Sequence, residues 1–385
     1  MSAIHELRFA ARQLRRTPGV TAAAVLTLAL AIGANTAVFS AVRAVLLRPL
    51  PFRAAERLVV IWGKQPGSPF PRLPLSYPDF ADLRAQTRTL ADVAAWTSSD
   101  QSRAAITGAG DPFEVLYGVA TTNLFRVLGV RAAAGRTLSL DERAAAAGAE
   151  VLVSHRLWSR FGLDRRLIGS TLRLDGKPCT VVGVLPAAFR FGNARVDVWM
   201  PTLLDPAGSG PRSRMYARGA KYLGVVARRA AGVAPAAVQA ELAAIAARLA
   251  HDEPYFDRDL GLEPVPLREQ VVGGRRPTLW LLLGAVGAVL LVGCANLAHL
   301  QLARAAQRRQ ELALRGALGA GRLRLARQLF AESFLLAAAG GALGVLLAAG
   351  GLRLLPLLGG ESESILAPFL VAAGEVRLDP QVLAF

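Results

Sequence analysis

Histidine, cysteine, serine and the carboxylates are the side chains that would carry catalysis or hold a metal. Their spacing here supports neither. His5, His155, His251 and His299 stand far apart, without the close pairing of metal ligands. No serine lies in a nucleophile-elbow pattern. Cys179 falls in an expected strand and Cys294 in an apolar stretch, so no disulfide framework is expected. Asp252-Glu253 and Asp257 to Asp259 form an acidic cluster without a glycine-containing calcium loop. A solvated helix end and loop is the expectation for them. Gly63-Lys64 and Gly176-Lys177 lack the earlier glycine and the following Ser or Thr of a phosphate loop. The expectation is a chain that is not an enzyme and binds no cofactor. Any ATP would be used by another subunit.

Recognition chemistry is better represented, between Gln310 and Ala320. Leu314 and Leu318 pair at i, i+4, so this basic segment can form a helix with an apolar stripe. Gly319 and Gly321 can end that helix, with Ala320 between them. Glu311, Arg315 and Leu318 follow at i, i+4 and i+7, on one side. Such a helix can seat in a groove on a partner. The plainer alternative is a positive flank that only orients neighbouring membrane helices.

Three apolar stretches must position that segment. Of the 385 residues, 53% are apolar, and the excess is concentrated in these stretches. Val20 to Val42 carries no charge and is long enough to cross a bilayer core of about 30 Å. It is also too long for the roughly 7–15-residue core of a cleaved signal peptide. The second stretch runs from Pro277 to Ala303 and the third from Ser333 to Leu352. Between them, Arg304 to Arg327 holds seven Arg against Glu311, a net +6. Beyond the third, Arg353 to Asp379 holds two Arg against four acids, a net −2. The positive segment is therefore expected inside, with the N-terminus. Residues 48–276 are then outside, and long domains are largely exempt from the charge rule. Ahead of the first span, Ile4, Leu7, Ala11 and Leu14 share one face beside Arg8, Arg12, Arg15 and Arg16. This amphipathic helix could lie on the inner leaflet, or simply be a positive flank. The net charge of +17 falls beside apolar segments, which fits lipid head groups rather than nucleic acid. In the third span, Gly340, Gly341 and Gly344 form either a small-residue ridge for close helix packing, with Gly340 and Gly344 as the packing residues, or simply the glycines that membrane helices ordinarily tolerate. Dimer crosslinking is the expected readout of that ridge.

The fold expected is an α-helical membrane protein with three transmembrane helices and a mixed α/β outer domain. Its segments are a cytoplasmic amphipathic helix at 1–19, spans at 20–47, 277–303 and 329–358, and a cytoplasmic loop at 304–328. The outer domain covers 48–276, with an insertion at about 108–215, and a tail follows at 359–385. Short β-rich runs are Leu58–Trp62, Glu114–Val119, Val151–Ser154, Thr180–Leu185 and Val196–Met200. Ser76-Tyr77-Pro78-Asp79-Phe80 opens a short helix. Pro235 to Ala250 is a clearer one, with Val238, Leu242, Ile245 and Leu249 on one face. Strands at Tyr222–Ala227 and Leu262–Val265 bracket it and make a β-α-β unit. Trp62, Trp96, Trp158 and Trp199 are expected in the core or at subdomain contacts rather than in ligand cages.

Several motifs together resemble the MacB/FtsX-type permeases of ABC transporters. They are Leu7-Arg8-Phe9-Ala10-Ala11-Arg12-Gln13-Leu14, Ala31 to Ser40, and Leu46-Leu47-Arg48-Pro49-Leu50-Pro51. Val181 to Pro186, Phe189-Arg190-Phe191, Glu311 to Ala320, Arg327-Gln328-Leu329 and Ala331-Glu332-Ser333 extend the match over nearly the whole chain. The pattern looks like the subgroup of duplicated orphan permeases. The resemblance implies a periplasmic core of two mixed α/β subdomains in the bacterial inner membrane. It implies that 311–320 is a coupling helix seated on a MacB-like ATP-binding subunit. Other implied partners are a second permease copy or half, the lipid bilayer and a periplasmic adaptor, with no nucleic acid. The implied activity is export or extrusion by mechanotransmission. The alternatives are an FtsX-like relay that transports nothing, or an inactive fragment. Gln310 stands where a basic residue is common, and Gly316 weakens the helix by about 1 kcal/mol relative to Ala. Relatives carry a fourth span after a tail like Arg377-Leu378-Asp379-Pro380, so the sequence is expected to be a fragment or truncated product.

Overall fold

The computed structural model describes residues 11, 12, 14, 15, 17–42, 50–108, 111–147, 149–192, 195–202, 217–253, 255, 257–273, 276–307 and 322–358. They form two compact units: residues 49–273, and the helices that precede and follow them.

In the helical unit, α1 is Pro18–Val42. The apolar stretches at Pro18–Ser40, Trp280–Ala303 and Phe330–Gly350 are long enough to cross a membrane as helices. The second and third lie in long helices, Arg276–Gln307 and Arg322–Leu358, both longer than their apolar stretches.

In the other unit the elements follow in chain order. They are β1 (Leu58–Lys64), α2 (Tyr77–Gln86), β2 (Leu90–Thr107), β3 (Phe113–Ala120), α3 (Leu124–Leu128), β4 (Ala134–Gly135) and α4 (Glu142–Ala147). Then come β5 (Glu150–Val153), α5 (His155–Arg160), β6 (Thr171–Leu174), β7 (Lys177–Val184) and β8 (Val198–Pro201). Last are β9 (Gly224–Arg229), α6 (Pro235–Asp252), β10 (Gly261–Pro266) and α7 (Leu267–Val272). The long membrane helices that follow are α8 (Arg276–Gln307) and α9 (Arg322–Leu358).

Four strands, β10-β1-β9-β2, pair antiparallel throughout. The expected β-α-β unit is therefore split: β1 lies between β9 and β10 and pairs with both. β1 reads as a continuous apolar run because each of its faces is covered. Val59 and Ile61 meet Phe80 and Leu83 of α2 and Val238, Leu242, Ile245 and Leu249 of α6. Leu58 and Val60 meet the other core, with Leu124, Phe125 and Leu128 of α3. Local signals fix both covering helices. Ser76 and Asp79 make a reciprocal capping box at the start of α2, and Pro235 takes the first turn of α6.

β3 to β8 are inserted between β2 and β9, and β2 belongs to both parts. Its first half pairs with β9, and its last residues pair with β6 across a register shift between Ser98 and Arg103. The pairings β2-β3-β8-β5-β7-β6-β2 close into a ring. Ile106, Val115, Val153, Val181, Val198 and Met200 are among the buried residues that fill it.

Candidate functional site

The helical unit is built on close backbone contact. A Cβ added at Gly340 would lie 2.6 Å from Leu28 Cβ, and one at Gly344 would lie 2.9 Å from the Ala29 carbonyl oxygen. A Cβ at Gly33 would lie 2.9 Å from the Gly344 carbonyl oxygen. Only small residues permit this approach between α1 and α9. On the adjoining side of α1, Gly293 of α8 faces Ala31, with 3.2 Å between an added Cβ and the Ala31 Cβ. Gln301 Nε2 donates to Ser333 Oγ at 3.4 Å and joins α8 to α9. The partner of Gly340 and Gly344 is thus the first helix of the same chain. This corrects the choice of dimer crosslinking as their readout, because α1 occupies that ridge. Gly341, one residue along, faces nothing within 4 Å.

Glu311, Arg315, Leu318, Gly319 and Ala320 lie outside the described residues. The backbone is helical to Gln307 on one side and from Arg322 on the other.

In the outer unit, a buried ionic cluster joins α2 to the residues before β9 and after α6. Asp79 and Asp257 are fully buried. Lys221 Nζ reaches Asp257 at 2.9 Å and Asp79 at 3.5 Å, and Arg218 bridges Asp79 at 3.1 Å and Asp82 at 2.8 Å. Burial pushes the Asp257 carboxyl up, and the nearby Asp79 adds to that against the Lys221 bond. Asp257 is therefore no solvated loop residue. Its cationic partners, Lys221 and Arg218, lie 36 and 39 positions upstream, where spacing gives no signal. Among the described residues, no group of three or more His, Cys, Asp or Glu is placed to hold a metal ion. Asp175-Gly176 forms the tight turn between β6 and β7, both residues at positive φ, which gives Gly176-Lys177 a structural role. His155 stacks edge-on against Trp158. Trp199 is buried, with Phe125 and Phe189 against its ring.

Three apolar helices flank and follow this domain in the order helix, α/β domain, helix, helix. The family model described as MacB-like periplasmic core domain matches residues 21–245, more than half of the chain. The chain belongs to the MacB/FtsX-type permeases. The FtsX-like permease C-terminal model matches residues 283–374. This permease is thus a bacterial inner-membrane protein with a periplasmic α/β domain, here residues 49–273. It is similar to the macrolide export ATP-binding/permease protein MacB of Burkholderia lata, 28% identical over 301 residues, 71% of this chain and 40% of the relative. It is also similar to the protein of that name from Hahella chejuensis, 25% identical over 279 residues, 66% of this chain and 40% of the relative. The permease spans 40% of the length of these curated relatives. Among solved structures, the periplasmic region of MacB from Actinobacillus actinomycetemcomitans matches with a TM-score of 0.41 and 15% identity, over 60% of this chain and 95% of that one. A permease domain from Porphyromonas gingivalis matches with a TM-score of 0.43 and 17% identity, over 56% of this chain and 92% of that one.

Proposed function

We propose that this permease is the membrane-embedded part of an ABC-type export or mechanotransmission complex, driven by a MacB-like ATP-binding subunit. The observation that carries the reading is the succession of the two family models on one chain, periplasmic core first and FtsX-like region second. The basic segment between α8 and α9 is the docking element, with Leu318 seated in a groove and Glu311 and Arg315 at its rim. Its net positive charge supports a cytoplasmic position for it and for the N-terminus. Gly340 and Gly344 hold α9 against α1, so a push on the loop is transmitted through packed helices rather than absorbed. Two copies or halves of the permease complete the complex, with a periplasmic adaptor as a further partner. The names of the relatives make macrolides the first cargo to assay.

The test is reconstitution of the full chain with a MacB-like ATPase in nanodiscs. Co-purification and stimulated ATP hydrolysis are expected. ATP hydrolysis by the chain alone, or an ATPase that neither binds nor responds, overturns the proposal. A relay that transports nothing would share the coupling, and macrolide flux into vesicles separates the two.

A further inference from the structure

A half-open hollow of about 70 Å³ lies in the inserted part of the outer unit, between the start of α5, the segment after β7 and the segment entering β8. Its apolar wall includes Phe189, Phe191 and Trp199. Three arginines line it, Arg156, Arg190 and Arg195, and all three are exposed. Arg156 is already neutralised. It grips buried Asp197 through Nε at 3.1 Å and Nη2 at 2.7 Å. Ser154 Oγ, at 3.2 Å, and the Leu116 amide, at 3.4 Å, complete the donors to that carboxylate. Asp197 thus has little acceptor capacity left for another cation.

The other two arginines have no carboxylate among the described residues. Arg190 Nη1 donates to the carbonyl oxygens of Ala187 at 3.0 Å and Phe189 at 2.8 Å. These bonds hold the guanidinium at the rim while its Nε and Nη2 make no hydrogen bond among the described residues. Arg195 lines the same hollow with neither a hydrogen bond nor an ion pair among those residues. The result is a fixed guanidinium and a second cation beside an aromatic wall. A guanidinium fork matches a carboxylate in two parallel bonds, and the wall takes apolar atoms next to it. At about 70 Å³ the hollow is well below an ordinary ligand pocket of about 300–1,000 Å³, so it takes only the end of a ligand, the carboxylate and the apolar atoms next to it.

We infer that this hollow binds the carboxylate end of an apolar ligand, the shared chemistry of a peptide C-terminus and a fatty acid. Arg190 and Arg195 take the carboxylate, and Phe189, Phe191 and Trp199 take the adjoining apolar atoms. The site is independent of ATPase coupling and stands or falls without it.

The test uses the full chain in phosphatidylcholine nanodiscs, titrated by saturation-transfer NMR with N-acetyl-leucine, N-acetyl-leucinamide and hexanoate. N-acetyl-leucine or hexanoate is expected to bind saturably, in the millimolar range appropriate to about a dozen heavy atoms or fewer. N-acetyl-leucinamide is expected to bind at least about tenfold more weakly than N-acetyl-leucine where the latter binds, since it lacks the charge-assisted bonds. Arg190→Ala with Arg195→Ala is expected to weaken the carboxylates by a similar factor. Both side chains are exposed, so folding should survive, and the acid-against-amide comparison on the unaltered chain does not depend on the variant. Binding of N-acetyl-leucine alone identifies the peptide end. Binding of hexanoate alone identifies the fatty acid, with hexanamide then the neutral comparison, and binding of both identifies the shared chemistry as sufficient. Equal binding of acid and amide, undiminished binding by the double variant, or no saturable binding of either carboxylate overturns the inference.

Discussion

Glu241, on α6, fastens the chain at the point where α2 gives way to β2. Its carboxylate accepts hydrogen bonds from the Thr87 hydroxyl at 2.9 Å, the Arg88 amide at 2.8 Å and the Thr89 amide at 3.0 Å, and also from the Thr89 hydroxyl. Burial works to raise its pKa, but the Thr89, Arg88 and Thr87 bonds together bring it below the ordinary value of 4.5. A carboxyl lowered on folding contributes stability above its unfolded pKa and loses it as the pH falls through the folded value. Glu241→Gln is therefore expected to destabilise the protein by about 1 kcal/mol at pH 7. The gap should stay constant down to about pH 5 and close below the usual carboxylate range. Thermal unfolding of both proteins from pH 7 to pH 3 checks this, and a gap that persists at pH 3 contradicts it. Asp257 titrates with the opposite sign. Its carboxyl is raised, so its contribution improves as the pH falls toward the unfolded value. No sequence pattern announced Glu241, and Asp257 stood out only as part of an acidic cluster expected in solvent, since each acts through partners distant in the chain.

Among the elements, those with a local signal were legible. The Ser76–Asp79 capping box and the Pro235 start mark α2 and α6, and short apolar runs between Gly, Pro and Asp mark β1, β3, β5, β7 and β8. Strand order was not legible, because pairing joins residues far apart: Val60 of β1 faces Val226 and Val265. β2 escaped for a different reason. Its polar centre, Ser98 to Ser102, interrupts the apolar alternation where the strand passes from one part of the sheet to the other. The glycine ridge was legible as a pattern, but its partner helix was not. Gly340→Leu or Gly344→Leu should force α9 away from α1 and destabilise the helical unit by about 1–3 kcal/mol. Gly341→Leu, on the same helix but with nothing within 4 Å, should be near neutral. Heat-induced loss of folded chain in nanodiscs compares the three. Equal effects at all three positions would mean that the ridge makes no specific contact.

For the whole molecule, the account requires a periplasmic α/β domain linked to a cytoplasmic docking loop by helices that span the membrane. With Cys179 and Cys294 replaced, an impermeant thiol reagent added from outside should label a cysteine placed at Ser209 and spare one at Gln307. The opposite pattern refutes the orientation. The coupling residues were legible only as a spacing, and they lie outside the described residues, so chemistry must test them. A loop that merely orients helices needs its arginines but has no use for Leu318. A docking helix needs Leu318 in a groove. Leu318→Asp leaves the segment 304–327 at +5 instead of +6, so membrane insertion should survive. The most direct test of ATPase coupling is the affinity of a MacB-like ATPase for the Leu318→Asp permease in nanodiscs. The account predicts at least about a tenfold loss of binding, with insertion unchanged, for a charge forced into an apolar contact. Binding as tight as that of the unaltered chain would contradict it.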